Sequence, residues 1–232
     1  MRFTFWEDFL ALVFPKTCAS CKRSLFDFEK TLCKACIARL PITNYHLQPQ
    51  NNDLVTKIMG LTKPGLVMSF LRFTKKGVSQ QLLHLLKYKN KPEIGLELGS
   101  LYGHLLLNHG FKDYWDVIVA VPLHPQKMRR RGYNQSEQFA RGISEAMNIP
   151  FEQLLHRSIY TETQTKKSRI ERIQNVAAVF EVAKSRHATS WLRVLLVDDV
   201  MTTGATLVAC ANTLHQSGVA QVDMAVIAAG RY

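Results

Sequence analysis

The chain has 232 residues, 47% of them hydrophobic and 21% charged, ordinary values for a soluble globular protein able to hold one full α/β domain and a small appendage. No apolar run approaches the roughly 20 residues needed to span a bilayer, which argues against membrane insertion. Thirty Lys plus Arg against eighteen Asp plus Glu give a net charge of +12, a field that favours anionic ligands.

At the front, Met1 to Pro15 resembles a signal peptide only superficially. Glu7 and Asp8 interrupt its apolar core, and Arg2 is its only leading positive charge, so it reads as an amphipathic helix with Phe5, Trp6, Phe9, Leu10, Leu12 and Val13 on the apolar face. Cys18, Cys21, Cys33 and Cys36 follow as C-x2-C-x11-C-x2-C. Each C-x2-C makes a tight turn that aims two sulfurs at one point, and two such turns complete a tetrahedron around Zn²⁺. Four thiolates leave no open position, so the expected role is structural, with binding energy serving as folding energy. Two disulfides are the alternative; the absence of a signal peptide and an unpaired Cys210 favour zinc and a reducing cytoplasm. Cys210 itself reads as a small buried hydrophobe. From Asn44 to Lys63 the composition turns polar and amide-rich, which suggests a linker or a loosely packed strand pair. The expected division is therefore an N-terminal helix and zinc ribbon with linker over 1–66, and a second domain over 67–232.

Helical spacing predicts a helix over Val78–Tyr88, with Leu82, Leu83, Leu85 and Leu86 as its apolar stripe, and another over Gly95–Leu107. His104 and His109 read as surface polar groups, because no other ligand type recurs near them at metal spacing. Positive charge is clustered: Arg72 to Lys91 carries six basic side chains and no acid, and Lys127 to Arg131 carries four in five positions. Trp115–Val121 reads as a buried strand stopped by Pro122 and Pro125. Lys127, Arg129, Arg130 and Arg131 then form a basic loop before a helix beginning near Ser136, while Gly132, Tyr133, Asn134 and Gln135 offer hydrogen bonds and an aromatic surface. Arg157 to Phe180 is polar and basic until Val176, where a short strand is expected. It is either a solvent-exposed connection or a loop that closes over a bound anion.

Val194 to Val197 has the length and composition of a buried parallel strand, which puts Asp198 and Asp199 at its carboxyl end, where open α/β sheets bind ligands. Thr202, Thr203, Gly204, Ala205 and Thr206 follow, and then an apolar helical run from Leu207 to Leu214. Gly204 lets backbone N–H groups turn inward, the threonines add hydroxyl donors, and the helix behind contributes unpaired N–H groups, so the loop can cradle a phosphate. Two adjacent carboxylates would repel that same phosphate, so they must face neutral hydroxyls or a cation on the ligand. A sugar phosphate meets both demands.

This strand, acid pair and T-x-G-x-T loop resemble the phosphoribosyl-diphosphate (PRPP) signature of type I phosphoribosyltransferases. Together with F-P-K-T-C-x-x-C at the start, L-K-Y-K-N-K at Leu86 to Lys91, V-P-L-H-P-Q-K-M-R-R-R-G-Y-N-Q at Val121 to Gln135, and T-Q-T-x5-E-R-I-Q-N-V-A-A-V-F ending at Phe180, the chain is similar to the competence-protein F (ComF) family. Lys166 and Lys167 stand where that resemblance implies a small residue and an apolar one. The resemblance implies an α/β fold with a phosphoribosyltransferase-type, mainly parallel sheet flanked by helices, behind a small N-terminal zinc ribbon. It implies that Asp198 and Asp199, the candidate catalytic acids, hold the ribose 2′- and 3′-hydroxyls while Thr202 to Thr206 wrap the 5′-phosphate. Lys127, Arg129, Arg130 and Arg131 would take the diphosphate with Mg²⁺, and Gln164, Lys166, Lys167 and Arg172 would lie in the closing loop. The implied activity is transfer of the phosphoribosyl group to a nitrogen nucleophile with diphosphate release, as in an amidophosphoribosyltransferase. The alternative is a non-catalytic DNA-uptake factor that binds single-stranded DNA or the competence machinery, with PRPP as effector or not bound. A homo-oligomer is compatible with either.

Overall fold

The computed structural model describes residues 15–63, 65–157, 179–182 and 192–230. The expected N-terminal helix, but for Pro15, and the closing-loop residues Gln164, Lys166, Lys167 and Arg172 lie outside this set. Its centre is a parallel four-stranded sheet built from β1 (Val67–Arg72), β2 (Val117–Ala120), β5 (Arg193–Met201) and β6 (Gln221–Ala229), in the spatial order β1-β6-β5-β2. These strands are nearly continuous apolar runs because both faces are covered, the expected pattern of a parallel sheet. Along β5 the side chains alternate: Leu195 and Val197 join one buried cluster, Val194 and Leu196 the other.

The first face carries α3 (Val78–Tyr88), α4 (Pro92–Leu107) and α6 (Gln135–Met147), with Leu82, Leu86, Leu98, Tyr102, Phe139 and Ile143 fully buried. Helices α4 and α6 meet backbone to backbone. A Cβ on Gly142 would lie 2.1 Å from the Leu96 carbonyl oxygen, and one on Gly99 would lie 2.2 Å from that of Phe139, so glycine at both positions sets the separation of the helices. The second face carries α2 (Asp53–Ile58), α7 (Ala205–Gln216) and an antiparallel pair, β3 (Leu155–Arg157) with β4 (Phe180–Val182). The strand expected from Val176 begins at Phe180 among the described residues.

The amide-rich stretch from Asn44 to Lys63 is neither a linker nor a strand pair. It forms a 3₁₀ turn, Tyr45–Leu47, and helix α2, whose Leu54, Val55 and Ile58 are buried. Its amides serve the backbone: Asn52 Oδ1 accepts from the N–H groups of Leu54 and Val55 to cap α2, and Asn52 Nδ2 donates to the carbonyls of Gln48 and Val67. The segment before it covers the open edge of β1 through Arg72 N–H to Pro41 O and Thr43 N–H to Phe70 O.

In the cysteine-bearing segment, the second C-x2-C pair is built into α1 (Lys34–Ile37), with Cys33 as its cap and Cys36 in its turn. Glu97 of α4 fastens the segment to the helical layer, its carboxylate accepting from the N–H groups of Thr31 and Leu32 at 2.9 Å each. No helix among the described residues is long and apolar enough to cross a membrane.

Candidate functional site

β5 runs longer than its apolar core predicts. The strand continues through the acids to Met201, paired with β6 as far as Met201 opposite Ala229. On its other side, pairing with β2 ends at Val197 opposite Ala120, and the Val121 N–H makes the last bond, to Val197 O. Asp198 and Asp199 therefore lie just past the point where β2 turns away at Pro122, with one side of the strand open as a crevice.

The two acids point to opposite faces and have different partners. Asp198 Oδ1 accepts from Ser136 Oγ and from the Asp199 N–H, both at 2.8 Å. Burial among its neighbours, and then the charge of Asp199, push its carboxyl up to about 7. Asp199 is straddled by Lys87 at the end of α3, whose ammonium lies 2.9 Å from each carboxylate oxygen.

Immediately downstream, Thr202 and Thr203 are exposed, and Gly204 has a left-handed backbone at φ +78. A Cβ there would also approach Ile58 Cγ2 to 2.7 Å and Met201 Cε to 2.9 Å, so Gly204 is set by packing as well as by conformation. Gly204 opens α7 without a side-chain cap, and the nearest substitute is a long contact of 3.5 Å from the Ala205 N–H to Thr203 Oγ1. The first-turn N–H groups thus face the concavity lined by Asp198, Val200 and Thr202 to Leu207. That cup holds only about 30 Å³, room for a phosphoryl tip and not a whole ligand. A cavity of about 670 Å³ lies instead between the cysteine segment and α3–α4, with Lys22, Lys30, Asp27 and Glu93 in its lining; such mixed charge selects no one ligand.

The basic segment is not a loop. Pro125–Arg131 is a short helix, α5, begun by Pro125 at its first turn and ended by Gly132 at φ +79. Helical geometry separates the four cations. Arg130 and Arg131 line a cavity of about 290 Å³ with Lys87, Tyr88, Asn90 and Tyr133, whereas Lys127 and Arg129 are exposed and do not line it. Arg131 donates to Gln135 Oε1 at 2.8 Å and stacks over the Tyr88 ring, and the Tyr133 hydroxyl donates to the Leu86 carbonyl. Tyr133 is thus a tether for α3 rather than an open stacking surface. Helix α6 starts at Gln135, with Asn134 as its cap, and this places Ser136 against Asp198.

Lys87 and Ser136 are site residues to which sequence reasoning assigned no role. They lie 112 and 62 residues from the acids they touch, and local spacing carries no signal for such contacts. Cys210 is buried below the acids, as its apolar helix implied, and burial pushes its thiol up.

The four N-terminal cysteines converge, their sulfurs all within 4.8 Å of one another and those of Cys21 and Cys33 3.7 Å apart. Tetrahedral Zn–S bonds of about 2.3 Å require sulfur separations of about 3.8 Å, so the set fits a metal ion. All four are free thiols rather than disulfides. The Arg23 guanidinium beside Cys33 holds that thiol down to about 6, which favours the thiolate a metal needs. The Cys33 and Cys36 N–H groups point at the sulfurs of Cys18 and Cys33, 3.4 Å away.

Comparison with known families matches residues 87–231 to the phosphoribosyl transferase domain. Competence protein F of Haemophilus influenzae is 36% identical over 110 residues, covering 47% of this chain and 48% of that protein, about half of each. The DNA utilization protein YhgH of Escherichia coli (strain K12) is 30% identical over 233 residues, covering 93% of this chain and 91% of that one. Competence protein ComFC of Bacillus subtilis is 24% identical over 211 residues, covering 88% and 80%.

Proposed function

The chain belongs to the ComF family, with a phosphoribosyl transferase domain, and on that premise we propose that it binds PRPP and transfers the phosphoribosyl group to a nitrogen nucleophile. One observation carries this reading: a single strand–loop–helix unit offers two carboxylates in an open crevice and, five residues on at Gly204, an uncapped helix N-terminus. The 5′-phosphate would rest on Thr202 to Thr206, where backbone N–H groups and the helix dipole favour an anion. The ribose diol would donate to Asp198 and Asp199. The diphosphate would extend toward Arg130 and Arg131, with Lys127 and Arg129 adding a more distant field.

With the donor so held, the nucleophile's lone pair forms a bond to C1 as the C1–O bond breaks, and that bond's electron pair leaves on the diphosphate. The nucleophile's proton passes to solvent. No covalent enzyme intermediate is required; positioning and charge stabilisation lower the barrier. Mg²⁺ would come with the donor and neutralise part of its diphosphate charge. The lining of the neighbouring cavity is cationic, so diphosphate oxygens rather than that wall would hold the ion. In the N-terminal segment the four thiolates would hold Zn²⁺ as a structural ion, which suits a reducing cytoplasm.

Calorimetry with PRPP and Mg²⁺, followed by a diphosphate-release screen over nucleobases and amines, tests the proposal. Absence of heat at millimolar PRPP removes it.

A second reading, single-stranded DNA binding, is favoured by a pair of exposed rings at the tip of the cysteine segment. Phe26 and Phe28 are 58% and 65% exposed and stacked 5.5 Å apart, with Arg23 and Lys34 against them. Bases stack on such surfaces while cations meet phosphates, so affinity should fall steeply with salt. Filter binding that retains no oligonucleotide at low salt excludes it.

A further inference from the structure

The L-K-Y-K-N-K motif ends helix α3, and the function proposed above gives it no role. Its Lys87 makes a hydrogen-bonded ion pair with Asp199. The ammonium is 2.9 Å from both oxygens, and the two side chains keep 22% and 16% of their exposure.

The placement of this cation is fixed from three directions. Leu86, fully buried, anchors the last turn of α3 in the core. The Lys89 N–H closes the helix on Leu85 O, and the Tyr133 hydroxyl binds the Leu86 carbonyl, which ties the turn to the segment between α5 and α6. A cation at a helix C-terminus also lies at the favourable end of the helix dipole.

The acid pair needs such a partner. Asp198 and Asp199 are adjacent, the Asp199 N–H holds the Asp198 carboxylate beside the strand, and the charge of Asp199 bears on it. Two neighbouring anions tend to share a proton, and a protonated acid donates where a carboxylate accepts. Four groups bear on the pair from the surrounding elements: Lys87 from α3, Ser136 from α6, Arg157 from β3 and Cys210 from α7. Ser136 is neutral, the Cys210 thiol is buried, and Arg157 acts on Asp198 through its charge. Among the described residues, Lys87 is the cation at hydrogen-bond distance from the pair.

On the premise that this crevice takes a sugar-phosphate donor, we propose that Lys87 is the positioning residue of the acid pair. Its ammonium holds Asp199 in place and keeps the two carboxylates available as acceptors for the donor's vicinal hydroxyls. Arg130 and Arg131, in the wall they share with Lys87, face the donor's leaving group instead.

The test uses the full chain as wild type, Lys87→Met, Lys87→Gln and Lys87→Arg, with thermal melting to select variants that fold. Carbon-13 NMR of the aspartate carboxyls is followed against pH without ligand, and affinities for PRPP with Mg²⁺ and for ribose 5-phosphate are measured by calorimetry. Titration of the Asp198 carboxyl, which the charge of Lys87 lowers, should move to higher pH by about one pH unit in Lys87→Met and Lys87→Gln, and stay near wild type in Lys87→Arg. Both ligands should bind about tenfold more weakly to the neutral variants, with most of the loss restored by arginine. An unmoved titration in a folded neutral variant overturns the proposal. So does a loss confined to PRPP, which would make Lys87 a diphosphate ligand. If wild type binds neither ligand, the donor reading falls by itself, and the titration alone decides whether Lys87 governs the pair.

Discussion

Replacing Asp198 by Asn should make the protein more stable in mild alkali while removing its hold on the donor. Asn Oδ1 can still accept from Ser136 Oγ and the Asp199 N–H, so the substitution removes a charge and little else. Burial and the neighbouring Asp199 raise the Asp198 carboxyl from 3.8 to about 7. Below pH 3.8 both folded and unfolded chains are protonated at this position, and the carboxyl has no effect on stability. Between 3.8 and about 7 the unfolded chain loses its proton while the native one keeps it, so stability falls as pH rises; above about 7 the loss is complete. About three pH units at about 1.4 kcal/mol each set a ceiling of about 4 kcal/mol, which solvent reaching the half-buried carboxylate screens to about 2 kcal/mol. Urea unfolding at pH 4 and pH 8 should therefore show D198N level with wild type in acid and about 2 kcal/mol more stable in base. PRPP binding should be lost at both. An equal stability difference at the two pH values, or no gain at pH 8, refutes the assignment of Asp198 as an acid held against its own preference for the sake of a ligand.

Gly142→Ala places a methyl 2.1 Å from the Leu96 carbonyl oxygen and 2.9 Å from Gly99 Cα; backbone cannot yield as a side-chain tip can, so unfolding free energy should drop by about 3 kcal/mol, read by urea denaturation. A change below about 1 kcal/mol would mean that α4 and α6 are not in backbone contact. Metal analysis of reduced protein should find one zinc per chain, and a strong chelator should expose the Thr31 and Leu32 amides, now bonded to Glu97, to hydrogen exchange. Metal-free protein, or protection unchanged after chelation, contradicts a structural ion.

Much of this architecture is legible in the chain because its signals are local. The apolar run of Val194–Val197 flanked by polar chemistry predicts a parallel strand, and the stripe of Leu82, Leu83, Leu85 and Leu86 predicts α3 with the bounds found, Val78–Tyr88, although Leu85 is only partly buried. Cysteine spacing alone predicts four converging sulfurs. Each inference depends on residues within one or two turns, where the backbone period dictates which side chains share a face. The basic run at Lys127–Arg131 reads as a loop in the sequence because proline at positions 122 and 125 signals a stop, whereas Pro125 is also an acceptable first residue of a helix, as it is here. The amide-rich stretch from Asn44 to Lys63 reads as a linker or a loosely packed strand pair because composition does not distinguish a solvated amide from one capping α2 and bonded to the β1 edge.

By itself, then, the sequence determined the family, the strand–loop–helix that offers carboxylates and N–H groups together, and the thiolate set: features written within short stretches of chain. Only the tertiary structure decided that Lys87 faces Asp199, that Ser136 meets Asp198, that Arg130 and Arg131 but not Lys127 and Arg129 share a wall with Lys87, and that Gly142 lets α6 touch α4. The physical reason is one of range. Backbone periodicity acts over a few residues, whereas counter-ions and close helix contacts join positions dozens of residues apart, and their pairing exists only once the sheet has brought both ends together.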